Sequence, residues 1–563
     1  MRRHRIALGA ALMVLTAAQS APVLAEAPLV LSNARIYTVD ETRPWAEAVA
    51  IDEEGVILAV GSAREVLAEA GSDAAVIDLA GRMLLPGFQD AHLHAVEAGI
   101  TATYCPMPQF GSEAMFEAAL EDCALEQGER PWVMGAGVNM IGLLEAVADP
   151  LALIDAVIPD RPAIVIDDLG HGAWANSPAL RAAGIDRLEE DPPGGIVMRL
   201  DDGRLSGVVL ESLGQTLIDA AQPPSQANLD FAYDSLMGAL EILAENGITT
   251  VSDAGGYWPR GHERVWEMAE ARGRLSVRAS NALYLYPEKE PEAQVAALIA
   301  RFSNDPDRLL RFNQVKIYVD GILSQATGAL YEPYEEGLGL APEERLGFEY
   351  FARDQLFGYA RALTEAGFQL HFHITGDRGA GLALDAIAQS SLESGPHRIT
   401  HLYLVDPRDR PRFAELGVVA DFQIAPSSVA PDYLDGMAEI IGARVDRLLP
   451  LRSMVDTGAL VTLSSDWDAD EISPLVKLET VLTRETEAAP DLASAIEMMT
   501  INPARLLQQA ERTGSIEPGK FADLVVLDRD LFTLDPAAIS SARVVATLLQ
   551  GEPVFDPEKL FAN

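Results

Sequence analysis

Met83-Leu84-Leu85-Pro86-Gly87-Phe88-Gln89-Asp90-Ala91-His92-Leu93-His94 is an apolar, strand-like run that leads directly into two histidines. On an extended strand, side chains two apart share a face, so His92 and His94 can point at one ion. Alone, such a triplet reads equally as surface or core histidines; its weight comes from what recurs further along. Apolar runs at 163–166, 248–251, 315–319, 369–373, 399–402, 418–420 and 460–463 alternate with helical patterns such as 231–245 and 353–366. Repeated strand–helix units over this length predict an α/β fold with a parallel sheet, open or closed into a barrel. Several of the nine histidines stand at the C-terminal ends of these runs, where barrel active sites are built.

The chain's 563 residues carry 85 acidic against 42 basic side chains, a net charge of −43. With 48% hydrophobic and 23% charged residues, the composition is globular rather than disordered. The length excludes a single small core, and the acidity excludes nucleic acid as a natural partner. Both ends are β-rich, at 29–31, 34–38, 48–51 and 56–60, then at 519–528 and 544–549. Neither end has enough core alone, which predicts one small β domain built from both. Residues 101–225, interrupted by Pro and Gly, read as an elaboration.

The first residues stand apart. Arg2, Arg3 and Arg5 precede an apolar run, 6–18, too short to span a membrane, and Val23-Leu24-Ala25 supplies small residues for a signal peptidase. This order predicts a signal peptide at 1–25 and an exported protein, periplasmic or secreted; removing it makes the chain three charges more negative. No later stretch is long enough to span a membrane. Cys105 and Cys123, the only cysteines, are either bridged or two buried thiols.

Lysine is scarce, with five in the chain, and Lys316 lies inside the apolar strand Val315-Lys316-Ile317-Tyr318-Val319. A charged amine there costs several kcal/mol unless paired, neutralised or modified. Either it snorkels from the strand end, or as a neutral amine it takes up carbon dioxide to become a carbamate, an anionic ligand able to bridge two metal ions. His373 and His401 end two further strands, and Asp466 follows Leu463-Ser464-Ser465 at the end of the last. An Asp after Ser is usually a helix N-cap. In the company of four histidines and a lysine it becomes a metal ligand and a proton shuttle.

In this order, on successive strands, His92-x-His94, Lys316, His373, His401 and Asp466 resemble the metal site of the amidohydrolase superfamily. The stretches 85–92, 315–321, 373–378 and 514–524 are similar to amidohydrolase family 3, the branch containing N-substituted formamide deformylases. So are Gly170-His171-Gly172-Ala173-Trp174-Ala175-Asn176-Ser177 and Pro192-Pro193-Gly194-Gly195. The resemblance implies a distorted (β/α)8 TIM-like barrel with a small β-sandwich domain formed from both termini. The corresponding division is 27–84 with 500–555 as the sandwich and 85–499 as the barrel. It further implies one or two divalent ions, usually zinc (Zn2+). His92 and His94 would hold one, His373 and His401 the other, with carboxylated Lys316 between them and Asp466 completing the first site.

Zinc lowers the pKa of bound water from about 16 to about 7, which makes hydroxide available at neutral pH. Asp466 then takes the proton from the attacking water and delivers it to the leaving group. His171, in a loop read as a binding loop with Trp174 and Asn176, is placed to donate a hydrogen bond to the carbonyl oxygen; the alternative is a structural loop histidine. The expected function is hydrolysis of a C–N bond in a small-molecule amide or N-substituted formamide. An esterase or lactonase on the same site, and a non-catalytic metal- or ligand-binding protein, are the alternatives; monomer and homodimer both stay open. Three departures bear on substrate. Thr400 replaces the branch's usual glutamate, Ser464-Ser465-Asp466-Trp467-Asp468 replaces Gly-Ser-Asp-Trp-Pro, and His371 adds a second H-x-H, as an extra ligand, a substrate contact or a packed neighbour.

Overall fold

The computed structural model describes residues 27–562 except 339 and 343; the expected signal peptide, 1–25, lies outside the described residues. Eight parallel strands form the central sheet: β1 (Phe88–Leu93), β2 (Ile248–Gly256), β3 (Arg278–Tyr284), β4 (Leu310–Tyr318), β5 (Gln369–Ile374), β6 (Arg398–His401), β7 (Val419–Phe422) and β8 (Val461–Leu463). They neighbour one another in that order, parallel at every pairing. The sheet curls into a nearly closed barrel. Its seam, between β1 and β8, is stapled rather than laddered. Gln89 N donates to Met499 O and Leu463 N to Met498 O, so one segment ties both edges together. Higher up, Asp466 N donates to His92 O at 2.8 Å and His94 N to Trp467 O at 2.5 Å.

Period-two alternation explains the barrel. In β5, Leu370, Phe372 and Ile374 join the large apolar cluster, as do Ile399 of β6 and Phe422 of β7. The alternate positions carry Gln369, His371, His373, Arg398, Thr400 and Asp421, all buried. Arg398 donates to Ser252 Oγ, Gln314 Oε1 and Ala91 O, and Thr400 to Asp421, while Gln369 Oε1 and the Nδ1 atoms of His371 and His373 find no partner among the described residues. The barrel is thus filled beneath its mouth by buried polar side chains, joined in part by hydrogen bonds.

The run at 83–88 is two strands, not one. Met83–Pro86 pairs with Leu524–Leu527 and with Arg35–Ile36 in a six-stranded sheet that also holds Val544–Leu549 and Glu552–Phe555. At Gly87 the chain leaves that sheet for the barrel. A Cβ at Gly87 would sit 2.3 Å from Thr249 Oγ1, which is why glycine stands there. The two ends of the chain therefore meet in one sheet, faced by a four-stranded sheet that includes Leu29–Ser32 and Ala48–Ile51, with a shared apolar core. Of the expected strand at 519–528 only Leu524–Leu527 is extended. The sheet is pinned to the barrel by a buried ion pair, Arg278 Nε to Asp523 Oδ2 at 2.7 Å.

The elaboration is more regular than its sequence. Between β1 and β2 the chain builds a second six-stranded sheet from Cys105–Pro106 to Leu205–Glu211, with its own apolar core around Trp174 and Phe116. Asn139, Asp149 and Asn176 cap its helices. Cys105 and Cys123 are bridged, joining its edge strand to the helix Glu113–Glu126.

Candidate metal centre

Asp466 organises the barrel mouth. It follows β8 with φ of +58°, a left-handed backbone unusual for a residue other than glycine. Its Oδ1 lies 3.1 Å from His92 Nε2 and 3.4 Å from His94 Nε2, and its Oδ2 lies 3.7 Å from His401 Nδ1. His401 ends β6, also at positive φ, +73°. Ligand atoms of His92, His94 and Asp466 all fall within 4.8 Å of one another. Lys316, fully buried on β4, reaches His92 Nε2 at 3.2 Å. Among the described residues no carboxylate pairs with it.

His373 is one ring further out. Its centroid lies 4.3 Å from that of His401, its Nε2 is 3.3 Å from Gly321 O, and its buried Nδ1 has no partner among the described residues. The barrel thus gathers all six sequence candidates at its C-terminal mouth, with His92, His94 and Asp466 as the tightest group.

The electrostatics suit cation binding. Burial holds His92 and His373 well below the ordinary imidazole range, and pushes His401 down to about 3. Burial alone would raise Asp466; instead the facing His92 and His401, and hydrogen bonds from His92 and His94, hold it well below the usual carboxylate range. Burial drives the Lys316 amine down to about 7. Neutral imidazoles and an ionised carboxylate are the forms that ligate. A mixed nitrogen and oxygen donor set fits zinc and similar divalent ions. The orphaned His373 Nδ1 fits the same reading, since buried polar atoms otherwise find partners, and the Lys316 amine has His92 but, among the described residues, no carboxylate beside it.

Beneath the mouth, His92 is held from behind. Its Nδ1 faces His371 Nε2 at 2.8 Å and Thr400 Oγ1 at 3.1 Å, and that hydroxyl donates to Asp421 Oδ2 at 3.0 Å. Asp421 also accepts from Gln423, Thr462 and Ser464. The three departures noted in the sequence therefore converge: His371 packs against the first histidine, and Thr400 and Ser464 share Asp421. Asp421 itself was not among the sequence candidates; its only signal is an acid at the inward position of an apolar strand.

A cavity of about 470 Å³ opens at the centre, lined by Asp167 and His171 from the added sheet and by Tyr318, His373, His401 and Asp466 from the barrel. His171 lines it. Trp174 and Asn176 do not. Trp174 Nε1 donates to Pro150 O inside the added sheet, and Asn176 caps the helix Ser177–Ala183 while bonding Ala163 N. Both side chains are fully buried packing elements, so of the three residues only His171 lines the cavity. Behind His171 lies Glu211, which the sequence did not single out; its carboxylate meets His171 Nδ1 at 2.7 Å.

Among known proteins, the Amidohydrolase family model matches residues 75–555. The N-substituted formamide deformylase of Arthrobacter pascens is 27% identical over 550 residues, covering 93% of this chain and 97% of that protein. Protein LONG AFTER FAR-RED 3 of Arabidopsis thaliana is 26% identical over 559 residues, covering 94% and 92%. The crystal structure of an uncharacterised metal-dependent hydrolase from Pyrococcus horikoshii superposes with a TM-score of 0.69 at 20% identity, covering 90% of this chain and 99% of that one. With the family match spanning most of the chain, a metal-binding constellation at the mouth of a parallel barrel has a plain meaning: this protein belongs to the amidohydrolase family, metal-dependent hydrolases that act on C–N bonds.

Proposed function

We propose that the protein is an exported, zinc-dependent amidohydrolase that cleaves the C–N bond of a small amide or N-substituted formamide. The observation that carries this is Asp466, a carboxylate that lines an open cavity and lies within 3.1–3.7 Å of three imidazoles. His92, His94, Lys316, His373, His401 and Asp466 would hold one or two ions, with Lys316 as a carbamate where two are bound. When bound, such an ion supplies Lewis acidity, making water more acidic and polarising a carbonyl oxygen. Asp466 has the remaining work of proton transfer: held ionised, it accepts a proton from the attacking water and hands it to the departing nitrogen. His171, stacked on Tyr318 at 5.4 Å between centroids, lines the same cavity and donates to the substrate carbonyl oxygen.

The similarity to an N-substituted formamide deformylase supports the substrate class, and the order of residues 1–25 supports export. The test is metal analysis of the purified protein alongside hydrolysis of matched p-nitroformanilide and p-nitrophenyl formate. Stoichiometric zinc with anilide cleavage lost in Asp466→Asn is expected. Ester cleavage without anilide cleavage would move the assignment to an esterase, and tight zinc with no turnover of either to a binding protein. N-terminal sequencing of protein recovered from the periplasm or medium should begin at Glu26.

A further inference from the structure

Glu211 is an unusual residue to find where it is. It closes the strand Leu205–Glu211 with φ of +61° and ψ of −129°, a strained conformation for a residue with a side chain. Its side chain is completely buried. Among the described residues no lysine or arginine pairs with it, although a buried carboxylate ordinarily requires a compensating partner. The surroundings are shaped to receive it. A Cβ on Gly321, just after β4, would lie 2.1 Å from Glu211 Oε1, so glycine there is what lets the carboxylate approach.

Three side-chain groups converge on it. The Tyr350 hydroxyl donates to Oε2 at 2.7 Å, the Thr327 hydroxyl donates to Oε1 at 2.5 Å, and His171 Nδ1 meets Oε2 at 2.7 Å. The main chains are joined as well, Glu211 N donating to His171 O at 2.6 Å. An ionised carboxylate only accepts, so His171 Nδ1 must carry the hydrogen. That leaves Nε2 as the ring atom available to the cavity. The ring cannot readily turn, being stacked on Tyr318 and 4.8 Å from the His373 ring.

Resting on the amidohydrolase reading above, we propose that Glu211 is a positioning residue that holds His171 through its Nδ1–H, keeps the ring protonated at both nitrogens and aims Nε2–H at the reacting carbonyl, with Tyr350 and Thr327 holding Glu211 in turn. The carboxylate also offsets the positive charge that the ring carries while Nε2 holds the hydrogen it donates, the arrangement by which buried acids serve catalytic histidines on unrelated folds. The strained backbone follows from this placement: an ordinary strand end would carry the carboxylate away from the ring.

The experiment has two arms. In the first, 15N spectra of histidine-labelled protein, with His171 assigned by difference from His171→Asn, should show both ring nitrogens protonated in the parent chain. That signature should be lost in Glu211→Gln; unchanged His171 signals would overturn the proposal whether or not a substrate is known. Tyr350→Phe, which removes one bond to the carboxylate and keeps the ring, serves if the first variant fails to fold, and should shift the same signals less.

In the second arm, the zinc-loaded enzyme is assayed with p-nitroformanilide. Glu211→Gln should lower kcat at least about 10-fold with KM within about 2-fold. In the His171→Asn background it should have no further effect, because a residue acting through His171 has nothing left to act on. Multiplying losses in the double variant would mark Glu211 as merely structural and overturn the proposal. Absence of turnover by the parent enzyme refutes the substrate assignment instead, and the spectra then decide the role of Glu211.

Discussion

Thr400→Val isolates the support behind His92. The substitution keeps the branched shape and replaces one hydroxyl by a methyl group. Two contacts disappear, 3.1 Å to His92 Nδ1 and 3.0 Å to Asp421 Oδ2. His92 keeps its contact with His371 at 2.8 Å, and Asp421 keeps Gln423 at 3.0 Å, Thr462 at 2.7 Å and Ser464 at 2.9 Å. No acceptor is left bare, so the loss in stability should be only about 1 kcal/mol. Metal affinity should suffer more. Removing a group that orients a ligating histidine costs roughly 10- to 100-fold in affinity, about 1.4–2.7 kcal/mol. Competition against a chromophoric zinc chelator measures this directly, and melting of the metal-free protein measures stability separately. Thr400→Ser retains the hydroxyl and should bind within about 3-fold of the parent. A Thr400→Val protein with unchanged zinc affinity would refute the idea that Thr400 orients His92.

Stripping the metal with a chelator should abolish hydrolysis and lower the melting temperature, both restored by zinc, because a ligand of the folded state stabilises it in proportion to its binding; a melting curve indifferent to chelation would count against a resident ion. Asp523→Ala leaves the Arg278 guanidinium buried without its partner, so chemical denaturation should report a loss of about 3–5 kcal/mol, and one below about 1 kcal/mol would show that this pair does not join the terminal sheet to the barrel. His397, just before β6, accepts from Leu370 N through Nδ1 and is pushed down to about 4 by burial. Its contribution is therefore intact above pH 6.5 and lost as the pH falls toward 4, by about 3 kcal/mol at most; His397→Asn should flatten the dependence of the urea midpoint between pH 6.5 and 4.5, and parallel slopes in parent and variant would contradict it.

The barrel could be read from the sequence because its strands alternate so strictly. Gln369-Leu370-His371-Phe372-His373-Ile374 places every apolar residue on one face, and only a strand does that. Where two strands abut without a polar interval the reading failed. The apolar run 83–88 gives no sign that its first half pairs with Leu524–Leu527, some 440 residues away, and its second half with β2. The added sheet was underestimated for a different reason. Its strands and helices are short, and its strongest signals are the caps Asn139, Asp149 and Asn176, which mark ends and say nothing of pairing.

The site divides along similar lines. Residues that would touch an ion are rare types at strand ends, and their chemistry makes them conspicuous one at a time. Residues that support them are conspicuous only as pairs. Thr400 acquires meaning because register sets it beside Asp421 on β7, and Glu211 because Gly172 pairs with Leu210 in the added sheet, bringing His171 alongside it. His401, Asp466 and Glu211 each adopt a positive φ, and each has its side chain lining the cavity or directly behind it. Conformations this costly persist where surrounding contacts over-determine them. Asp466 is fixed by its amide on His92 O, His401 by its amide on Gln423 Oε1, and Glu211 by Tyr350, Thr327 and His171. Two of the three were found from their chemistry and the third was not. Ten other non-glycine residues among the described ones, Val39 and Leu449 included, also adopt a positive φ and do not line the cavity, so what ties Glu211 to the site rather than to the scaffold is its contact with His171, which does.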